Sequence, residues 1–305
     1  MAEANPNGNA WSQLSESFSQ TIEALEGSVV AVYGGGRSTS SGVVWRPGVV
    51  VTTHSSLGHR ETVKVIHGEE PVSAQLIGRD AGTDLAVIRV PSEELKPVDK
   101  LAERDVRAGE IVLSVGRSRL GDISASCGIV ARIGSAWQTW HGGKIDRLIR
   151  PDIRLYVGQS GSALVDRERR VVGINSPALA RMAIITIPAQ TIDRVVDAVL
   201  ERGHVPRPFL GIAMQPVPVP EALRAQVSAE TEYVLLVTHV EAGGPAAQAG
   251  AMVGDLIVSV DGTPVQNVRE ILRRLANSRI GESIPVVVMR GGVRVDLAVT
   301  VADRD

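Results

Sequence analysis

The sequence predicts a mainly β chain: two β-barrels in succession, then a smaller unit that mixes strands and helices. Three observations predict it. Short apolar runs rich in Val and Ile recur from residue 28 to residue 188, broken by Gly, Pro and charged turns, with no helical pattern between them. The chain is 44% apolar but only 3% aromatic, with 31 Gly, so Val, Ile, Leu and Ala must fill the core between tight turns. Strand-only spacing of this kind argues against a parallel α/β sheet. At 305 residues there is room for two or three domains with a real core.

Residues 1–10 are polar and Asn-rich and are expected to be disordered. Trp11, Leu14, Phe18, Ile22 and Leu25 then recur at three- and four-residue steps, which places them on one face of a helix. That helix either lies across the following domain or offers Trp11 or Phe18 to a neighbouring subunit. Six strands follow: SVVAVYG, SGVVWR, GVVVTTH, TVKVI, SAQLIG and DLAVIRV, enough for one closed barrel. The segment from Pro91 to Glu110 lacks apolar alternation and should cross the surface. A second set of six, EIVLSVG, ISASCGIVARI, DRLIR, SALVD, RVVGIN and MAIITI, makes the second barrel. Ile192, Val195, Val196 and Val199 then fall at helical spacing before a Gly203 stop, and are read as a linker helix. Strand and helix signals alternate from Phe209 onward. The domain boundaries are therefore 1–27 for the tail and helix, 28–188, 189–206 for the linker helix, and 207–305.

The chemistry centres on GQSGSAL, residues 158–164, a Ser between two Gly just before an apolar run. A Ser hydroxyl needs a base to take its proton, and the base needs a carboxylate to fix its tautomer. Both lie upstream at strand ends: His54 closes VVVTTH and Asp84 opens DLAVIRV. The order His54, Asp84, Ser160 is that of chymotrypsin-like enzymes and differs from the subtilisin-like and α/β-hydrolase orders. A nucleophile elbow would need Gly two residues after the Ser, where Ser162 stands. The N–H groups of Gly158 and Ser160 are the candidate oxyanion donors, and Gly at 158 permits the backbone turn they require.

The chain resembles the HtrA family of serine proteases, in which a trypsin-like domain precedes a PDZ domain. The resemblance rests on SGVVWRPGVVVTTH around His54, LIGRDAGTDLAVIRV around Asp84, LSVGR at Leu113–Arg117, RPDIRLYVGQSGSALVD around Ser160 and VVGIN at Val171–Asn175. In the last domain it rests on Phe209-Leu210-Gly211-Ile212 and on GGPAAQAGAMVGDLIVSVDGTPV. It implies a chymotrypsin-like double β-barrel and a PDZ domain. It also implies an ATP-independent endopeptidase for unfolded or exposed polypeptide in protein quality control, with peptide C-termini held at Phe209, Leu210, Gly211 and Ile212, and a homotrimer. The alternative is a catalytically idle peptide-binding scaffold. The sequence departs from the family pattern at Gln159, Ser162 and Ala163, where Asn, Gly and Pro are usual.

The substrate pocket is expected at Arg154, six residues before the nucleophile, and at Ile184 and Ile185. Arg154 can favour an acidic side chain, fill the pocket or turn outward, and outward is favoured because an unpaired buried guanidinium is costly. Trp137 and Trp140 either pack on the barrel or touch the PDZ domain or a neighbouring subunit, and residues 166–170 form a charged hairpin turn. The single Cys127 excludes an intramolecular disulfide and is expected to be a packed thiol. The six His show no metal-motif spacing, so neither metal nor cofactor is expected. A net charge of -2 without a long basic run gives no reason to invoke nucleic acid. No apolar stretch reaches membrane-spanning length, and no export signal opens the chain, so it is expected to be cytoplasmic as written, or periplasmic if an export segment was removed.

Overall fold

The computed structural model describes residues 9–34, 39–58, 62–68, 70–91, 95–101, 106–118, 120–227, 231–275 and 280–304. Residues 1–8, most of the tail expected to be disordered, lie outside these. The chain divides into two compact units, Met1–Val205 and Pro206–Asp305.

The first unit opens with α1 (Asn9–Ala24), whose Phe18 and Ile22 pack on the core while Trp11 is 81% exposed. Six strands follow: β1 (Val29–Tyr33), β2 (Thr39–Arg46), β3 (Val49–Thr53), β4 (Thr62–Ile66), β5 (Pro71–Asp80) and β6 (Leu85–Arg89). They close into a barrel in the order β1-β2-β3-β6-β5-β4. Val30, Val32, Val44, Val50 and Ile88 fill its interior, β-branched side chains that suit a pleated surface. The antiparallel pairing of β3 with β6, which are not neighbours in sequence, matters most for function.

The second barrel uses β7 (Ile111–Arg117) and β8 (Ile123–Gly134), then a small hairpin of β9 (Trp137–Gln138) and β10 (Lys144–Ile145) that stays outside it. β11 (Leu148–Asp152), β12 (Ala163–Val165), β13 (Val171–Ser176) and β14 (Ile185–Pro188) complete it, closing in the order β11-β14-β13-β12-β7-β8. The mainly β, double-barrel class is as the sequence implies. The hairpin separates its two Trp: Trp137 packs on the core and Trp140 is 83% exposed. Cys127 does lie on a strand, but its side chain is exposed because it falls on the solvent face of β8 with Ile129, which corrects the packed-thiol expectation.

Two connections differ from their sequence reading. The segment after β6 is pinned to the barrels, with Val98 N donating to Val44 O and Val171 N to Asp99 O, and Leu95, Val98 and Val106 are buried. Their irregular spacing hides them from any test for alternation. The helix read as a linker, α2 (Ala189–Arg202), is part of the first unit's core: Ile192, Val195, Val196 and Val199 are buried in the same cluster as Val43, Leu113 and Ile174. Gly78 is what lets it approach, since a Cβ there would stand 2.4 Å from a methyl of Val199. Gly203 ends the helix in the left-handed region at φ 81°, its N–H bonded to Val199 O.

The second unit pairs β15 (Pro208–Phe209) with a late strand and builds its sheet from β16 (Ile212–Pro218), β17 (Tyr233–Val240) and β18 (Leu256–Val260). Between them come α3 (Pro245–Gln248), β19 (Thr263–Pro264) and α4 (Val268–Leu275). β20 (Ser283–Arg290), β21 (Val293–Thr300) and β22 (Ala302–Asp303) finish the chain. The sheet order is β16-β17-β18-β20-β21, with β16 and β21 at its edges. Leu235, Ile257, Val260, Ile271 and Val288 form the centre of its core.

Candidate active site

The end of the β3–β6 ladder brings the first two candidate residues together. Thr53 pairs with Leu85, and one step further His54 N donates to Asp84 O at 3.0 Å. His54 opens a short 3-10 turn, His54–Ser56, and is half-buried. Asp84 is buried and holds φ at 58°, a conformation uncommon for a residue with a side chain. Three donors satisfy its carboxylate: Ser55 N at 2.7 Å and Ser55 Oγ at 3.2 Å from the turn itself, and Ser176 Oγ at 2.6 Å from the end of β13.

Ser160 comes from the other barrel and meets the same place. Its Oγ lies 2.8 Å from Oγ1 of Thr53, the residue before His54. Counting protons gives this contact a direction, because each hydroxyl has only one to donate. Ser56 Oγ donates to Thr53 O at 2.8 Å, so Thr53 Oγ1 donates to Ser56 Oγ at 2.8 Å, and Ser160 donates to Thr53. The nucleophile's proton therefore points at Thr53 in this arrangement.

The loop that carries Ser160 is anchored from two sides. Ser41, at the start of the SGVVW strand, donates its backbone N–H to Ser160 O at 2.8 Å and its hydroxyl to Gly158 O at 2.9 Å. The same hydroxyl accepts from Arg117 N at 3.0 Å. On the other side Gln159, 1% exposed, points into the barrel. Its Oε1 accepts from Tyr156 N at 2.9 Å, and its Nε2 donates to Ser124 O and Oγ at 3.0 and 2.9 Å. Gly158 and Gly161 take φ of 91° and 83°, and at Gly161 no other residue fits, because a Cβ would stand 2.2 Å from Ser41 O. Behind Ser41, the buried Arg117 spends its guanidinium on three carbonyls, Val29 O at 2.7 Å, Gly121 O at 2.6 Å and Glu26 O at 2.8 Å. Burial lowers its pKa from the ordinary value, against the opposing charges of Glu26 and Asp122.

Residues 40–174 match the family model of the trypsin-like peptidase domain, and residues 208–301 match that of the PDZ domain. The serine protease Do-like HtrA of Lactobacillus helveticus is 30% identical over 86% of this chain and 68% of its own length. The chain belongs to the HtrA family of serine proteases. A probable periplasmic serine endoprotease, DegP-like, of Brucella suis is 33% identical over 85% of this chain, which spans 51% of that relative. Among solved structures, the serine endoprotease from Yersinia pestis superposes with a TM-score of 0.72 at 26% identity, over 94% of this chain and 98% of that one.

Against the HtrA pattern, each departure has a partner in the structure. Gln159 reaches Ser124 with its extra methylene. Ser162 is buried, and its hydroxyl lies 3.0 Å from Ser114 Oγ and accepts from Asn175 Nδ2 at 3.1 Å. Asn175 is held in turn by Thr186 Oγ1 at 2.8 Å. Ala163 opens β12 in register with Val115 and Ile174.

The pocket residues do not stay together. Arg154 is exposed, its guanidinium 5.3 Å from the centre of the Tyr156 ring, the outward orientation favoured from the sequence. Ile184 lines a cavity of about 420 Å³ with Arg150, Pro151, Asp152 and Met182, whose lining includes none of His54, Asp84 and Ser160. Ile185, expected beside it, is only 4% exposed and belongs to the barrel core, because strand alternation in β14 turns it inward opposite Ser176. In the PDZ unit Phe209 lies under the Arg304 guanidinium, Leu210 is buried, Gly211 takes φ of 75° and Ile212 starts the edge strand β16. Gly211 O accepts from Glu241 N, and Leu210 O from Ala246 N, which fixes this loop on the sheet and on α3.

Thr53, Ser41 and Ser176 were not singled out from the sequence. Thr53 adjoins His54 and Ser41 opens a quoted motif, so adjacency was the one signal available. Nothing local marks Ser176 as a partner of a residue 92 positions away.

Proposed function

We propose that this chain is an ATP-independent serine endopeptidase that cleaves unfolded or exposed polypeptide in protein quality control, and that its PDZ unit holds peptide C-termini by strand addition beside β16. The observation that carries the catalytic part is the convergence at one point of two barrels: the His54–Asp84 backbone bond ends the β3–β6 ladder, and Ser160 Oγ reaches the adjacent Thr53.

In the proposed mechanism Ser160 Oγ attacks the scissile carbonyl as His54 takes its proton. The tetrahedral oxyanion is held by the N–H groups of Gly158 and Ser160, each such donor being worth roughly 3 kcal/mol of barrier. His54 then protonates the leaving amine, and water repeats the sequence to release the acyl group from Ser160. Asp84 orients the imidazole. The proton count at Thr53 implies one preparatory step, rotation of the Ser160 hydroxyl away from Thr53 toward His54. Side chains before the scissile bond are small or medium aliphatics, because Arg154 lies outside on Tyr156 and brings no charge to the position six residues before the nucleophile.

The exposed Trp11 supports a subunit contact through α1 in a homo-oligomer, which the resemblance makes a trimer. The word periplasmic in the name of the Brucella relative favours a cell-envelope setting over the cytoplasmic one. No helix of the described residues is long and apolar enough to cross a membrane.

The test is loss of casein cleavage and of fluorophosphonate labelling in Ser160→Ala with an unchanged melting temperature. Equal cleavage by the wild type and the variant would sink the assignment. A folded wild type that takes no fluorophosphonate label would favour the idle scaffold.

A further inference from the structure

The bonds from Ser55 and Ser176 act on the Asp84 carboxylate, but the backbone that carries it is strained. A φ of 58° puts a residue with a side chain in the left-handed region, a conformation that persists only where the surroundings over-determine it. The ladder of β5 and β6 ends at the pair Asp80 and Leu85, so Asp84 is the last residue of a four-residue loop, residues 81–84. Inside the loop the Asp80 carboxylate accepts from Gly82 N at 3.1 Å, Thr83 N at 3.3 Å and Thr83 Oγ1 at 2.6 Å. A carboxylate can fix only donors in this way. Gly82 is buried, so its carbonyl needs a donor from elsewhere.

That donor comes from the β9–β10 hairpin. Thr139, in its turn and 8% exposed, donates its hydroxyl to Gly82 O at 2.7 Å and accepts from Gly143 N at 3.1 Å. The two backbones also touch, since a Cβ at Gly143 would stand 2.1 Å from the carbonyl carbon of Gly82. The hairpin itself is firmly seated. Ile145 is fully buried, Arg194 donates to Lys144 O at 2.6 Å, and the Thr191 hydroxyl accepts from Asp146 N at 3.0 Å and donates to Asp146 Oδ2 at 2.8 Å. A fixed element from one barrel thus presses on the strained loop of the other.

We infer that Thr139 is a positioning residue for the proposed reaction: its hydroxyl holds the Gly82 peptide, two residues before Asp84, and through that peptide the backbone angle from which Asp84 orients His54. The inference rests on the proposed role of Asp84. Thr139 touches no reacting atom. Freeing Gly82 O lets the loop relax toward an ordinary φ at Asp84, which carries the carboxylate away from its place beside the His54 turn. The consequence falls on the chemical step, because orientation of the base is realised in the transition state, and so on kcat rather than KM. Asp80 and the donors to the Asp84 carboxylate remain, so the loss is partial. One hydrogen bond in this setting corresponds to about three- to tenfold in rate.

The test is kcat and KM of the full chain on a fluorogenic unfolded substrate, with the rate of fluorophosphonate labelling, each below the melting temperature of the variant. Thr139→Val, close in shape, should lower kcat and labelling about three- to tenfold with KM within about twofold, and Thr139→Ser, which keeps the hydroxyl, should restore both. Thr191→Val removes two bonds from the base of the same hairpin, where Ile145 and Arg194 still hold it, so it should lose stability and keep its kcat. Gly143→Ala presses on Gly82 without removing the hydroxyl; it should lower kcat as well, and it decides the matter if Thr139→Val does not fold. Wild-type kcat and labelling in Thr139→Val, or an equal loss in Thr139→Ser or Thr191→Val, would overturn the inference and leave the proteolytic reading standing. A wild type that neither cleaves nor labels would overturn that reading and the inference with it.

Discussion

Ser41→Ala is expected to damage catalysis more than its distance from the chemistry suggests. The hydroxyl has two carbonyls in reach of its one proton, Gly158 O at 2.9 Å and Arg117 O at 3.4 Å, the nearer being the main acceptor, and it accepts from Arg117 N. Its removal leaves the buried Arg117 N–H without an acceptor, at about 1–3 kcal/mol, and breaks a neutral bond to Gly158 O worth about 0.5–1.5 kcal/mol. Stability should therefore fall by roughly 2–4 kcal/mol. The Gly158 carbonyl belongs to the peptide between the two proposed oxyanion residues, so loosening it disorders the donors themselves. Complete loss of one donor costs about 10²–10³ in kcat. Because Gln159 still anchors the loop through three hydrogen bonds, a partial loss of about 10- to 100-fold in kcat is expected, with KM nearly unchanged.

The assay is kcat and KM on a fluorogenic unfolded substrate, with the rate of fluorophosphonate labelling, both measured well below the variant's melting temperature. Ser40→Ala is the control. Ser40 is the preceding residue and as buried as Ser41, but its hydroxyl hydrogen-bonds to Thr52 Oγ1 at 3.1 Å and not to Gly158 O. It should lose about 1 kcal/mol of stability and keep its kcat. Ser41→Ala with wild-type kcat and labelling rate despite lower stability would refute the reasoning, as would an equal loss of kcat in Ser40→Ala.

Thr53→Val, close in shape, removes the acceptor that holds the Ser160 proton and should speed fluorophosphonate labelling by up to about tenfold; unchanged or slower labelling contradicts the proton count. Cleavage sites mapped by mass spectrometry on a peptide library should favour small or medium aliphatics before the scissile bond in both the wild type and Arg154→Ala, whereas a preference for Asp or Glu that disappears in the variant would place Arg154 inside the pocket. In the PDZ unit, burial would raise the Asp255 carboxyl, but the Arg290 side chain and Met252 N–H bonded to it, with the Arg290 charge, hold it below its ordinary value. A depressed folded pKa contributes stability that is complete above the unfolded value, about 3.9, and is lost as pH falls through the folded one. Calorimetry should therefore show the second unit's transition dropping below about pH 4, with that acid limb flattened in Asp255→Asn.

What the sequence made legible was whatever is written in neighbouring residues. The strands of both barrels announce themselves by short β-branched runs, and His54 and Asp84 by standing at the ends of two of them. Their adjacency was not legible from pattern, because β3 pairs with β6 across two intervening strands, and resemblance alone supplied it. Helix α2 shows the same limit: its apolar face was visible at residues 192–199, but not that β5 offers it a seat by having no side chain at Gly78. Ile185 fails in the other direction. Two adjacent Ile look equivalent as letters, yet strand alternation sends one to a cavity and the other to the core.

The departures from the family pattern carry the same lesson further. Gln159, Ser162 and Ala163 look like damage to an oxyanion loop when taken singly. In the fold Gln159 spends its amide on Tyr156 and Ser124, and the Ser162 hydroxyl joins Ser114, Asn175 and Thr186 in one buried network. Restoring Asn at 159 would shorten a side chain that reaches two fixed points, and restoring Gly at 162 would leave Asn175 Nδ2 with one acceptor fewer. Buried polar networks are stable when complete and costly when one member is missing. Gln159 and Ser162 therefore form a compensated set with Ser114, Ser124 and Asn175, and Asn at 159 or Gly at 162, placed here one at a time, would be the damaging change.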